Sequence, residues 1–164
     1  MTDLSPAAPR STRLLIVDDH PVFRRGISQF LSSQEGLTVC AEAENAQSAL
    51  EAMRRHKPDL ALLDVSMPGT DGIELTKLML AEQPELLILM FSMHEDSSHA
   101  LRALRAGARG YVMKQNAMES VLEAARKVMR GGIYVSPQFA QKLGLDVNDG
   151  MADIIAKDLT VAKG

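Results

Sequence analysis

The sequence is poor in the features that mark disulfide-bonded, membrane-spanning and nucleic-acid-binding chains. Its single cysteine, Cys40, excludes an internal disulfide and any metal cluster built from cysteines. Every apolar run falls short of the roughly 20 residues that cross a bilayer, and Met1–Thr12 has no apolar core of the signal-peptide kind. A net charge of −3 offers no basic surface to nucleic acid. We therefore expect a cytoplasmic protein without membrane contact, with a disordered lead over residues 1–12.

The remainder of the composition is typical of a globular domain, and its organisation is an alternation of strands and helices. The residues are 46% hydrophobic and 24% charged, and a length of 164 residues is enough for one domain with a hydrophobic core and a tail. Five short apolar runs predict strands, at Leu14–Val17, Leu37–Ala43, Leu60–Leu63, Leu86–Phe91 and Tyr111–Met113. Each is followed by a segment of helical period, ending near a glycine in three cases: Gly36, Gly107 and Gly131. Successive β–α units predict an α/β fold, a doubly wound five-stranded parallel sheet with helices on both faces.

Polar side chains follow four of the predicted strands, at the end where such sheets carry their binding sites. Asp18 and Asp19 follow the first strand, Asp64 the third, Ser92 the fourth and Lys114 the fifth. Taken singly, each has a plain structural explanation: a turn carboxylate, a hydroxyl at a helix entry, or a solvated charge. Their convergence on one sheet edge favours a functional site instead.

Three carboxylates at one edge repel one another, because a pair about 4 Å apart costs on the order of 4 kcal/mol at a surface-like dielectric. Proton sharing is one remedy, and a divalent cation is the other. Oxygen ligands with room for water suit Mg²⁺, and Lys114 can neutralise part of the remaining charge or pair with Asp64. A phosphoryl group fits such a site: Asp64 can act as the nucleophile, and the Ser92 hydroxyl can donate to a phosphoryl oxygen.

Four stretches of the chain resemble bacterial response-regulator receivers, and more narrowly those of the NarL/FixJ type: LLIVDDHPVFRRGI, PDLALLDVSMPGTDGIEL, ALRALRAGARGYVMK and GGIYVSP. The resemblance spans Arg13 to about Lys142. It implies a flavodoxin-like sheet of strand order 2-1-3-4-5, a receiver domain over residues 13–132, and a linker or tail over residues 133–164.

The same resemblance implies roles for individual residues. Asp64 would be the phosphoacceptor. Mg²⁺ would be bound directly by Asp19, Asp64 and the backbone carbonyl of Ser66, and through water by Asp18. Ser92 would be the switch hydroxyl, Lys114 the phosphate-binding lysine, and Tyr111 the aromatic whose rotamer follows the switch. The phosphoryl donor would be a sensor histidine kinase or a small acyl phosphate. The protein would not be an enzyme beyond Mg²⁺-dependent self-phosphorylation, carried by Asp64 and Lys114, and slow autodephosphorylation.

Some residues keep a second interpretation. Tyr111 could simply be packed on its strand. Ser66 and His94 flank the expected phosphoryl position and could tune dephosphorylation, although an exposed loop histidine explains His94 equally well. His20, His56 and His99 show no ligand spacing, so we assign them no metal role.

The acidic stretch Gln141–Gly164 cannot supply the helix-turn-helix domain in which NarL/FixJ regulators usually end. We expect contact with DNA only through an output domain missing from this chain, and homodimerisation on phosphorylation is possible. The chain is then a receiver with its linker from a transcription factor, or a stand-alone regulator that acts through protein contacts.

Two other classes fit less well. A haloacid-dehalogenase-type phosphatase also uses a strand-end aspartate with Mg²⁺, but carries a second Asp two residues later, where this chain has Ser66. A flavodoxin-like cofactor protein needs a phosphate-cradling loop after the first strand, and Asp-Asp-His-Pro at that point repels phosphate.

Overall fold

The computed structural model describes residues 11–67, 69–93, 97–135 and 137–142. Within them, five parallel strands form one sheet in the order β2-β1-β3-β4-β5, as predicted. The strands are β1 (Thr12–Val17), β2 (Leu37–Ala43), β3 (Leu60–Asp64), β4 (Leu87–Ser92) and β5 (Gly110–Met113). The first strand begins before Arg13, where we placed the domain boundary, because the Thr12 N–H donates to the Gly36 carbonyl. The rest of the expected N-terminal lead lies outside the described residues.

In the described part of the chain, six α-helices accompany the sheet: α1 (Pro21–Ser32), α2 (Ala46–His56), α3 (Gly72–Glu82), α4 (Ser97–Ala106), α5 (Ala117–Met129) and α6 (Pro137–Lys142). A short 3₁₀ turn, Lys114–Asn116, joins β5 to α5. Side-chain caps begin α2 at Asn45 and α3 at Asp71. Gly107 has a φ of 117°, a conformation open to glycine, and ends α4 as predicted. None of the helices in the described ranges is long and apolar enough to cross a membrane.

The sheet separates two apolar layers. Leu14 and Ile16 of β1 point to the layer shared with α1 and α5, whereas Leu15 and Val17 point to the layer shared with α2, α3 and α4. All four side chains are fully buried. Helices on both faces explain why the strands read as continuous apolar runs rather than as alternating ones.

The segment after α5 also belongs to the core. The Tyr134 N–H donates to the Arg109 carbonyl at 2.9 Å, and the Tyr111 N–H donates to the Tyr134 carbonyl at 3.0 Å, so Tyr134 lies along the edge of β5. Phe139 of α6 is buried and stacks on Tyr111, with ring centroids 6.1 Å apart. The packed domain therefore continues past Gly132, the predicted end of the receiver domain.

Candidate functional site

The carboxyl ends of the strands bring Asp18, Asp64 and Lys114 into direct contact. The Lys114 ammonium lies 2.8 Å from Asp18 Oδ2 and 3.1 Å from Asp64 Oδ2. Asp18 is fully buried, Asp64 is 2% exposed and Lys114 is 8% exposed. The Phe23 ring of α1 packs against the ammonium, and the Lys114 Nζ atom lies 4.7 Å from the centroid of this ring. One buried cation is thus shared by two buried carboxylates.

The carboxylate of Asp64 is fixed on both oxygens. Its Oδ1 accepts a hydrogen bond from the Ser66 N–H at 3.1 Å, and its Oδ2 accepts one from Lys114. The α3 N-terminus packs directly behind it, where the Gly72 N–H donates to the Val65 carbonyl at 2.8 Å. A Cβ on Gly72 would collide with the Asp64 carbonyl oxygen and lie 2.9 Å from Val65 Cα. The close approach therefore requires glycine at this position.

Burial and charge set the protonation of the site. Burial raises the pKa of Asp64, and the charge of Asp18 raises it further, while Lys114 and the Ser66 N–H act in the opposite direction. Burial alone would lower the pKa of Lys114, but the hydrogen bonds to Asp18 and Asp64 and the negative charges of these two carboxylates together outweigh burial and raise it. Lys114 is therefore an ammonium at neutral pH, and the ionised form of Asp64 is the costly one.

This electrostatic balance makes stability depend on pH in a defined direction. Because the pKa of Asp64 is higher in the folded protein than in the unfolded chain, its proton uptake favours folding as the pH falls, and this contribution is lost as the pH rises through the raised pKa. In EDTA at neutral pH, we expect Asp64→Asn to unfold with a free energy higher by on the order of 1 kcal/mol than the parent. The gap should narrow as the pH is lowered.

Urea unfolding of parent and variant from pH 7 down to the ordinary range of a carboxyl group, about pH 4, measures this gap. Glu85→Gln, which neutralises an exposed carboxylate, is the matched control and should show no such gap. A gap that stays constant across the pH range would contradict the account of Asp64.

Asp19 and His20 complete the cluster. Asp19 Oδ1 is a buried atom with no hydrogen-bond partner among the described residues. The His20 Nδ1 atom lies 3.1 Å from Asp18 Oδ1 and 3.2 Å from Asp19 Oδ1. One ligand atom from each of Asp18, Asp19, His20 and Asp64 lies within 4.8 Å of the others, a group that could hold a metal ion. The sequence analysis left His20 out of this cluster, although the motif Asp-Asp-His-Pro already placed it beside the carboxylates.

The other predicted residues lie around this cluster. Ser92 is buried at the end of β4, next to Met113 in the sheet register, and Tyr111 is buried on β5 against Phe139. Ser66 follows Asp64 closely and has an exposed side chain. His94 lies outside the described residues.

Arg24 is a site neighbour that the sequence analysis missed. Its Nη1 donates to the Asp18 carbonyl at 2.6 Å, and its Nε donates to Glu42 at 3.1 Å. The contact ties α1 to the turn that carries Asp18 and Asp19. Because the side chain reaches back over one helical turn, no spacing in the sequence pointed to it.

Comparisons with known proteins identify the family to which this fold belongs. Residues 14–126 match the family model described as the response regulator receiver domain. Response regulator GacA of Pseudomonas aeruginosa is 39% identical over 133 residues, which cover 81% of this chain and 62% of GacA. The chain thus spans less than two thirds of that relative.

Two solved structures are similar to this chain over 80% of its length. A LuxR-family two-component response regulator from Aurantimonas sp. SI85-9A1 has a TM-score of 0.77 at 36% identity, covering 80% of this chain and 94% of that one. The isolated receiver domain of RcsB from Salmonella enterica serovar Typhimurium, solved with phosphomimetic BeF₃⁻, has a TM-score of 0.74 at 25% identity, covering 80% and 98%. On the matched family model, the sheet order and the relatives, this chain belongs to the receiver-domain family of two-component response regulators.

Proposed function

We propose that Asp64 accepts a phosphoryl group in a Mg²⁺-dependent reaction and that the domain transmits this event through a change of shape. The observation that carries the proposal is the contact of the buried Lys114 ammonium with both Asp18 and Asp64 at the strand ends. A buried cation beside a fixed carboxylate suits a group that brings additional negative charge. The similar RcsB receiver domain was solved in the presence of the phosphomimetic BeF₃⁻, which supports phosphorylation of this class of domain.

Asp64 would act as the nucleophile. One of its carboxylate oxygens forms the new bond to phosphorus, and the bond to the donor breaks with its electron pair leaving on the donor. The donor is a phosphohistidine of a sensor kinase or a small acyl phosphate. Lys114 stays protonated throughout and pairs with a phosphoryl oxygen, while the Ser66 N–H holds the carboxylate in orientation.

The carboxylate cluster fits a divalent cation. Asp19 Oδ1, buried and without a hydrogen bond among the described residues, is the kind of oxygen that a cation satisfies. Asp19, Asp64 and the Ser66 carbonyl would bind Mg²⁺, with Asp18 acting through water. When bound, Mg²⁺ would neutralise charge on the phosphoryl oxygens.

The output would run through Ser92 and Tyr111. Ser92 would donate to a phosphoryl oxygen, Tyr111 would follow, and the face formed by α4, β5 and α5 would change. That face would control homodimerisation or a DNA-binding output domain outside this chain. GacA is longer than the matched region, and the similar structure from Aurantimonas is a LuxR-family response regulator, which supports transcription control as the final output.

Intact-mass measurement tests the proposal. After incubation with acetyl phosphate and Mg²⁺, the parent should carry a single phosphoryl adduct. Addition of EDTA before the acetyl phosphate should prevent the adduct from forming. Size-exclusion of the treated and untreated samples tests the dimer: a shift only after treatment supports a dimerisation switch. No adduct, with Mg²⁺ binding established by calorimetry, would argue against phosphorylation from small donors.

A further inference from the structure

The Nδ1 atom of His20 lies among the carboxylates of the acidic cluster, although 64% of the side chain is exposed. Its Nδ1 atom is 3.1 Å from Asp18 Oδ1, 3.2 Å from Asp19 Oδ1 and 3.9 Å from Asp64 Oδ2. These separations are short enough for one cation to contact the ring nitrogen and the neighbouring carboxylates together. The Lys114 ammonium is already 3.4 Å from the same nitrogen.

The local backbone fixes this position. The His20 N–H donates to Asp18 Oδ1 at 2.7 Å, which closes a tight turn after β1. Pro21 begins α1 and confines His20 to extended backbone, observed at φ −96° and ψ 103°. The imidazole therefore enters the cluster because of its place in the chain, although the residue is solvent-exposed.

A second observation separates this ring from an ordinary exposed histidine. Asp19 Oδ1 is buried and makes no hydrogen bond within the described residues, although the His20 nitrogen is only 3.2 Å away. Because His20 Nδ1 is already within hydrogen-bonding distance of Asp18 Oδ1, at 3.1 Å, the atom left without a hydrogen bond is Asp19 Oδ1. A cation bound by Nδ1 and this oxygen would give the oxygen a partner.

We propose that His20 Nδ1 is a ligand for borderline divalent cations such as Ni²⁺, Co²⁺ and Zn²⁺, bound at the same place as Mg²⁺ with Asp19 and Asp64. The inference rests on the proposed Mg²⁺ site and adds to it a residue that sets metal preference. Carboxylates alone suit Mg²⁺, whereas an imidazole nitrogen adds most to the affinity for the later transition metals. His20 therefore widens the range of cations that this site accepts.

Calorimetry on metal-stripped full chain tests the inference. Parent, His20→Gln and Asp19→Asn are each titrated with NiCl₂ and, separately, with MgCl₂. We expect His20→Gln to weaken Ni²⁺ binding by about tenfold or more, and Mg²⁺ binding by less than about threefold. His56→Gln, which removes a histidine from the end of α2, is the matched control and should leave both affinities unchanged.

A proton NMR spectrum of the Co²⁺ complex provides a direct readout. Ring protons of a bound imidazole shift strongly near paramagnetic Co²⁺, and these signals should vanish in His20→Gln while persisting in His56→Gln. Equal Ni²⁺ affinities for parent and His20→Gln would overturn the inference. So would an equal loss for Ni²⁺ and Mg²⁺, because that result assigns His20 to positioning the carboxylates. If Asp19→Asn instead leaves Mg²⁺ binding intact, the proposed Mg²⁺ site itself fails.

Discussion

Asp64→Asn is expected to abolish the phosphoryl adduct completely while leaving the protein at least as stable as the parent. The amide has no anionic oxygen to attack phosphorus, so no acyl phosphate forms. At the same time the change removes a buried charge that faces Asp18, which is the second cause of the raised Asp64 pKa. Loss of the adduct in a more stable protein cannot be attributed to unfolding. Intact mass and urea unfolding of the same preparation measure both effects.

Asp71→Asn is the matched control for this variant. Asp71 is exposed, caps α3 and receives a hydrogen bond from the Glu74 N–H at 2.8 Å, a task that asparagine performs equally well. It should keep both the adduct and the stability of the parent. An adduct that persists in Asp64→Asn would move the phosphoacceptor to another residue.

Gly72→Ala is expected to lower the free energy of unfolding by about 3 kcal/mol. The new methyl group would collide with the Asp64 carbonyl oxygen, and it would lie 2.7 Å from Met90 Cε and 2.9 Å from Val65 Cα. Met90 can move, but the two backbone atoms belong to the strand end that carries Asp64. The first turn of α3 must therefore shift away from the site. Urea unfolding measures the loss.

Gly26→Ala is expected to raise the free energy of unfolding, in contrast to Gly72→Ala. Gly26 lies in the interior of α1, and a Cβ there would meet only Met118 Cε, at an ordinary 3.5 Å. Since alanine is the better helix former, this variant should gain about 0.5–1 kcal/mol. Similar losses for both variants would mean that crowding at Gly72 does not determine its effect.

The sheet was predictable because the apolar runs and the alternation of strands with helices indicated the same parallel fold. Apolar runs buried on both faces identified the strands, and the unbroken alternation of strands and helices required parallel pairing. Strand β2 was predicted with its observed bounds, Leu37–Ala43, from its apolar residues. Strand ends then indicated Asp18, Asp64 and Lys114, whose contact needs only the parallel topology. Their proposed roles await the experiments above.

The features that escaped prediction depend on contacts between distant parts of the chain. Tyr134 and Phe139 lie in a segment too short to show a period in its hydrophobic residues. They are buried because Tyr134 packs along the edge of β5 and Phe139 stacks on the ring of Tyr111. His20 lacked a partner at any familiar ligand spacing, because its neighbours come from β3 as well as β1. The requirement for glycine at position 72 arises only because α3 packs directly behind Asp64, where a Cβ would collide with the Asp64 carbonyl oxygen.

The position of Tyr134 has a consequence for how this domain meets other chains. An uncovered outer strand is a template on which a foreign strand can add, and such addition leads to aggregation or peptide capture. Here the Arg109 carbonyl and the Tyr111 N–H are already bonded to Tyr134, and Gly110 lets that backbone approach closely, since a Cβ would lie 3.1 Å from the Tyr134 carbonyl oxygen. A foreign strand that pairs with β5 at Gly110 must first displace the segment that carries Tyr134. Tyr134 therefore protects the beginning of β5 from pairing with a foreign strand.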